Sequence, residues 1–141
     1  MKLRFLTVIF AAVASPVVAD PCQAIPDRGP MPAHLKPGLK FSGPVSYVGD
    51  GDSLCIALGP SSSDWVEIRV ADFYAPELHA HGGAEAKAAL VRITQGKRAT
   101  CVAGRRSYDR VVADCSIDGR SIGDLMRDQG VREGGSGWKP E

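Results

Sequence analysis

Apolar and polar residues alternate along several short segments of the chain. In the segment WVEIRV, which begins at residue 65, the apolar side chains alternate with Glu67 and Arg69, so that both charged residues point off the hydrophobic face. This period of two predicts β-strands with one buried face. The pattern becomes strand-like from Phe41. Five segments are predicted as strands: 45–48, which enters the Asp-Gly turn, 53–58, 65–73, 97–103 and 110–117.

Two segments have the period of a helix instead. Residues 84–96 place small and branched apolar residues on one stripe and end at Gly96. Residues 121–130 begin with Ser121 as a cap and end at Gly130. Five short strands, with one helix after the third and one at the end, predict an α+β fold containing a five-stranded OB-fold-like β-barrel.

The first 19 residues have the features of a secretory signal peptide. Lys2 and Arg4 supply a positive start, an apolar run follows, and Ala19 ends a segment of small residues that suits cleavage. The run is interrupted by Pro16 and is shorter than the about 20 apolar residues that span a membrane. We therefore expect a periplasmic or secreted protein with no membrane segment after cleavage.

The predicted mature chain has no bulk attraction for polyanions. Of 17 basic residues, Lys2 and Arg4 are lost with the signal peptide, which leaves 15 against 16 acidic residues. Any phosphate binding must come from locally placed arginines. The size suits one domain with one core, and we expect a monomer. Residues 20–40 contain five prolines without periodicity and predict an extended leader.

The four cysteines suit two disulfides in an oxidising compartment. Four cysteines allow three pairings. Cys101 and Cys115 lie on the two strands of a predicted hairpin, which favours a cross-strand bridge between them. That pairing leaves Cys22 to tie the leader to Cys55.

Five motifs occur together in an order that resembles the staphylococcal nuclease (thermonuclease) family. They are DGDS at 50–53, an arginine at 69 eight residues before the glutamate of PE at 76–77, GAEAKAAL at 83–90, YDR at 108–110 and DGRSIGDLMRDQG at 118–130. The resemblance covers about residues 41–131. It implies a nuclease-like barrel over this range that lacks the third, C-terminal helix of the family's type member, followed by a flexible tail at 132–141.

The resemblance implies hydrolysis of phosphodiester bonds in DNA or RNA. Arg69 and Arg110 match the two arginines that clamp the scissile phosphate, and Glu77 matches the carboxylate that acts on the attacking water. Arginine suits the clamp because its planar fork bonds two phosphate oxygens and stays charged. Tyr108 and Arg106, in the basic hairpin tip, are candidate substrate-binding residues. The alternative is that the basic side chains of this hairpin tip are exposed to solvent and bind no substrate.

The resemblance also implies a calcium ion. Asp52 matches a carboxylate ligand, and Ala75 matches the position whose backbone carbonyl faces the metal, whereas Asp50 is then a turn residue. The family's second aspartate is replaced here by Tyr74, and a phenol is a poor calcium ligand. Asp72 lies two residues earlier, on the same face if the segment is a strand, and is a further candidate ligand.

The replacement at Tyr74 leaves a second hypothesis open. The chain would then be a nuclease-like module that binds nucleic acid or protein without turnover. The presence of Glu77 argues against this alternative, because a binding module has little use for that carboxylate. The two hypotheses differ in one observable, since the module would bind in a salt-dependent manner without cleavage. A phosphodiesterase for small nucleotides is a third possibility.

Overall fold

The structure is a computed structural model that describes residues 20–140, so the predicted signal peptide lies outside the described residues. Five strands form its barrel: β1 (Lys40–Val48), β2 (Ser53–Ala57), β3 (Trp65–Val70), β4 (Arg98–Ser107) and β5 (Arg110–Ile117). Neighbours pair antiparallel in the order β3-β2-β1-β4-β5, and a parallel pairing of β3 with β5 closes the ring. The predicted α+β class and five-stranded barrel are confirmed.

Two helices pack on this barrel. Helix α1 spans Gly83–Thr94 and helix α2 spans Ile122–Asp128, with Ser121 accepting a hydrogen bond from the backbone N–H of Asp124 as the predicted cap. A two-residue strand, β6 (Arg120–Ser121), extends the sheet beside β5. From residue 129 to residue 140 the chain contains no helix. None of the helices described has the length and apolar character needed to cross a bilayer.

The bounds of β3 and β4 differ from those predicted by more than one residue. β1 begins at Lys40, one residue before Phe41, where the strand-like pattern starts, and Gly43 and Pro44 are paired with β4. β4 continues to Ser107 across an irregularity in its register between Ala103 and Arg106. β3 ends at Val70, so that Phe73 belongs to the loop that follows, although its side chain is fully buried.

The barrel encloses one hydrophobic core that also contains residues from both helices and the leader. The largest fully buried apolar side chains are Phe73, Leu35, Leu54, Ile56, Ile68, Leu90, Ile117, Ile122, Met126, Val70 and Val111. The proline-rich leader, residues 20–40, therefore contributes to the core. It forms a short 3-10 turn at Ala33–Leu35 and packs Ile25 and Leu35 into the core.

Two disulfides are present, in the pairing favoured from the sequence. Cys101 and Cys115 face each other across β4 and β5, and Cys22 joins the leader to Cys55 of β2. Next to the Cys22–Cys55 disulfide, Gln23 of the leader pairs in parallel with β3. Disulfides persist in oxidising compartments, so the bonded cysteines fit an extracytoplasmic location.

A candidate active site at the barrel rim

The turn between β1 and β2 carries Asp52 to the rim of the barrel. Asp50 Oδ1 accepts a hydrogen bond from the backbone N–H of Asp52, at 3.0 Å. Gly51 is buried and has no positive φ. A Cβ at Gly51 would lie 2.5 Å from the Cβ of Ala75 and 2.6 Å from that of Ala86. Close packing under α1, rather than the backbone conformation of the turn, therefore explains why a glycine separates the two aspartates.

Asp52 is buried and bonded to two groups. Its Oδ2 accepts a hydrogen bond from the backbone N–H of Ala75 at 2.9 Å and lies 3.4 Å from Nη2 of Arg69. Burial raises the pKa of Asp52 to about 6, although Arg69 and the Ala75 N–H act in the opposite direction. The carboxylate thus fixes both the arginine and the loop that follows β3.

Arg69 is held on several sides of its guanidinium group. Nη1 donates to the carbonyl of Val70 and Nη2 to the carbonyl of Ser136, both at 3.2 Å. The guanidinium carbon lies 5.0 Å from the centre of the Tyr74 ring, which is a cation–π distance. Tyr74, at the position where the resemblance implies a metal ligand, instead forms one wall of the arginine site.

Arg110 lies beside a second carboxylate on the neighbouring strand. The parallel pairing of β3 and β5 brings Arg110 next to Glu67, with Nε 3.9 Å from Oε1. Burial raises the pKa of Glu67 to about 7, and the nearby acids Asp20, Asp109 and Asp50 add to the rise, whereas Arg110 opposes it. The rim therefore contains two arginines, each with its own partly or fully buried carboxylate.

Three of the predicted site residues, Asp52, Arg69 and Arg110, lie together at this rim. Arg110 is close enough to influence the charge of both Asp52 and Glu67. Glu67, which lies beside Arg110, was not among the site residues predicted from the sequence. The signal was available, because the alternation in β3 puts Glu67 on the same face as Arg69, two residues away.

Glu77 lies in the loop after β3, beside a cavity. It lines a cavity of about 970 Å³ between the loop after β3, α1 and the C-terminal segment, together with His81, Glu85 and Arg92. Within residues 20–140, its carboxylate makes no ion pair with either rim arginine. A group bound in this cavity would lie beside both acidic and basic side chains, rather than beside Arg69 and Arg110.

The predicted calcium ligands are not brought together. The Asp72 carboxylate faces α2, where a Cβ on Gly123 would lie 2.5 Å from its Oδ2. Ala75 directs its N–H to Asp52, whereas its carbonyl packs against Gly135, where a Cβ would lie 1.8 Å away. Calcium takes about six to eight oxygen ligands. The donors around Asp52 therefore do not fit a calcium ion.

One other group of three potential metal ligands occurs among residues 20–140. It consists of Asp20, Cys22 and Cys55. Both sulfurs are joined in the disulfide, so neither is a thiolate that binds a metal. This group carries no metal site.

The two candidate substrate-binding residues of the β4–β5 hairpin differ in their surroundings. Tyr108 is 83% exposed at the tip, in the left-handed conformation with a φ of 56°. Arg106 donates from Nη2 to the carbonyl of Gly29 at 2.9 Å and so binds the leader. Tyr108 is free to contact a ligand, whereas Arg106 has a structural partner.

The segment predicted as a flexible tail contacts the end of β3. The backbone N–H of Tyr74 donates to Glu133 Oε1 at 3.0 Å, and the Tyr74 carbonyl accepts from the N–H groups of Gly134 and Gly135 at 3.0 and 3.1 Å. Together with the bond from Arg69 to Ser136, these contacts hold residues 133–136 across the rim. Gly135, one of the glycines that suggest flexibility in the sequence, permits this close approach.

Loss of the proton from Glu67 is expected to lower the free energy of unfolding as the pH rises through 7. Its pKa is about 7 in the folded protein against 4.5 for an ordinary glutamate, so folding retains a proton that the unfolded chain releases. Its contribution is complete below pH 4.5 and is lost as the pH passes 7. The free energy of unfolding can be measured with urea at about pH 5 and about pH 8. Between these two pH values it should fall by about 2 kcal/mol more in the wild type than in Glu67→Gln. Equal losses in both proteins would show that Glu67 titrates normally.

No protein-family model matches the chain, and no curated protein matches it in sequence.

Proposed function

We propose that the protein is an exported phosphodiesterase of the thermonuclease type that cleaves the backbone of DNA or RNA. The observation that carries the proposal is the convergence of Arg69 and Arg110 at one rim, with Asp52 bonded to the first. These residues come from two strands and a turn that are far apart in the sequence. The two disulfides support export to a periplasm or the medium.

The two arginines supply the positive charge that cleavage of a phosphodiester requires. Their guanidinium groups would bind the non-bridging oxygens and stabilise the charge that develops on them in the transition state. Asp52 orients Arg69 through the contact with Nη2. A phosphate oxygen would replace the Ser136 carbonyl on Arg69, and this exchange is favourable because a charged acceptor bonds an arginine more strongly than a neutral one.

Glu77 is the proposed base for the attacking water. It lies in the cavity next to the rim, has no ion-pair partner among residues 20–140, and is free to accept a proton. Substrate bound across the rim and the cavity would bring the water between Glu77 and the clamped phosphate. Because the donors at Asp52 do not fit calcium, the proposed steps use the side chains of the protein alone.

Replacement of Glu77 by glutamine tests this role. We expect the rate of cleavage of single-stranded DNA and RNA to fall by about 10²- to 10⁴-fold, since general base catalysis contributes about that much. Glu85→Gln is the matched control, because Glu85 lines the same cavity, is exposed, and loses the same charge. Equal rates for the two variants would remove Glu77 from the mechanism.

The lack of an ion pair between Glu77 and either rim arginine, among residues 20–140, favours one alternative. A module that binds nucleic acid or protein without turnover would need only the arginines and the exposed Tyr108. Such a module should bind single-stranded DNA with an affinity that falls steeply with salt, and should leave the DNA intact. Measurement of binding and cleavage on the same substrate separates the two functions.

A further inference from the structure

Glu67 occupies an unusual place on the barrel rim. It lies on β3 two residues before Arg69, on the same face, and its side chain is only 16% exposed. Across the antiparallel pairing it faces Cys55, whose disulfide to Cys22 anchors the leader. The parallel pairing on its other side brings Arg110 to 3.9 Å. Arg110 is its only ion-pair partner among residues 20–140.

The charged groups that raise the pKa of Glu67, beyond its burial, are acidic. Asp20 comes from the leader, Asp109 from the hairpin tip and Asp50 from the β1–β2 turn. Arg110 is thus the only ion-pair partner, among residues 20–140, of the poorly solvated Glu67 carboxylate in this acidic cluster. In such a cluster the buried carboxylate is the group that most readily takes up a proton.

We propose that binding of a phosphodiester at Arg110 is coupled to uptake of one proton by Glu67. The inference depends on the proposed function, because it takes Arg110 as a phosphate ligand. An ionised Glu67 competes with the phosphodiester for the same guanidinium group. A neutral Glu67 leaves that group to the phosphodiester and adds no repulsion.

The proton balance is simple. One proton moves from solvent to the Glu67 carboxylate when the anion binds, and it returns to solvent when the anion leaves. The pKa of Glu67, which is about 7 in the free protein, puts this exchange near neutral pH. The phosphodiester adds a negative charge beside Glu67 and raises that pKa further. Affinity should therefore fall as the pH rises above 7.

Calorimetric titration with a deoxythymidine dinucleotide tests the coupling. Its one phosphodiester keeps a single negative charge from about pH 5 to about pH 9, so the ligand itself does not titrate. For the wild type, the affinity should fall by up to about tenfold per pH unit above pH 7, with proton uptake visible in buffers of different ionisation enthalpy. For Glu67→Gln, the affinity should vary less than about twofold over the same range.

Asp114→Asn is the matched control. Asp114 is exposed and lies on β5, four residues and about 13 Å along the strand from Arg110, and its replacement removes the same charge. This variant should keep the pH dependence of the wild type. If wild type and Glu67→Gln bind with the same pH dependence, the coupling is wrong while the proposed function stands. If no dinucleotide binds at any pH, the coupling is wrong, and the digestion of single-stranded DNA and RNA decides the proposed function separately.

A second measurement does not need a ligand. The carboxyl carbon of Glu67 can be followed by NMR during a pH titration. In Arg110→Ala the pKa of Glu67 should rise above its wild-type value, because the one cation that lowers it is gone. An unchanged pKa would show that the two side chains do not interact, and would overturn the inference. Loss of turnover in Glu67→Gln at every pH, with unchanged binding, would make Glu67 a base instead and would also overturn it.

Discussion

Replacing Arg69 with alanine is expected to slow phosphodiester cleavage by about 10²- to 10³-fold or more, which is the usual effect of removing one group that stabilises the transition state. The guanidinium group would be the main charged ligand of the phosphate, and its contacts with Asp52, Ser136 and the Tyr74 ring fix it in place. The measurement is kcat/KM on single-stranded DNA, with thermal unfolding to show that the variant folds.

Two further variants separate charge from geometry. Arg69→Lys keeps the charge but loses the planar fork, so we expect it to recover little of the lost rate. Arg105→Ala removes an exposed arginine of the hairpin tip and should change the rate by less than about threefold, since an exposed charge acts mainly through screened attraction. Equal rates in Arg69→Ala and Arg105→Ala would contradict a specific role for Arg69.

Replacing Gly135 with alanine is expected to detach the C-terminal segment from the rim. The added Cβ would lie 1.8 Å from the carbonyl oxygen of Ala75, which is backbone and has no means of turning away. The bonds from Gly134 and Gly135 to Tyr74 would then break. Each is worth about 1 kcal/mol, so amide exchange at these two positions should accelerate by about 30-fold.

The neighbouring glycine provides the control. Nothing lies within 4 Å of a Cβ built at Gly134, and neither glycine has a positive φ. Gly134→Ala should therefore keep the segment in place, with amide exchange close to that of the wild type. Protection that is equally strong in both variants would show that residues 133–136 do not dock as described.

The strands and helices were predictable from the sequence because their signals are local. The alternation in β2 and β3 and the stripe of α1 each follow from burial of one face. The disulfide between Cys101 and Cys115 followed from the predicted hairpin. The pairing of Gly43 and Pro44 with β4 was not predictable in this way, because neither residue has strand propensity and the pairing is a tertiary effect.

The candidate site was predictable only in part, for two physical reasons. The roles of Arg69 and Arg110 came from a pattern of motifs, and their proximity depends on the parallel pairing of β3 with β5, which no local signal encodes. The contacts of the C-terminal segment depend on a clash that only glycine avoids at position 135, whereas a glycine-rich sequence by itself suggests disorder. The orientation of Asp72 towards α2 likewise depends on Gly123.

Digestion of single-stranded DNA and RNA by the disulfide-bonded protein tests the central claim most directly. The assay would be run with calcium, with other divalent ions and with a chelator, because the donors at Asp52 do not fit calcium. We expect cleavage of at least one polymer, and we expect that cleavage to persist in the chelator. The absence of cleavage under every condition, by a protein whose unfolding transition shows that it is folded, would contradict the account.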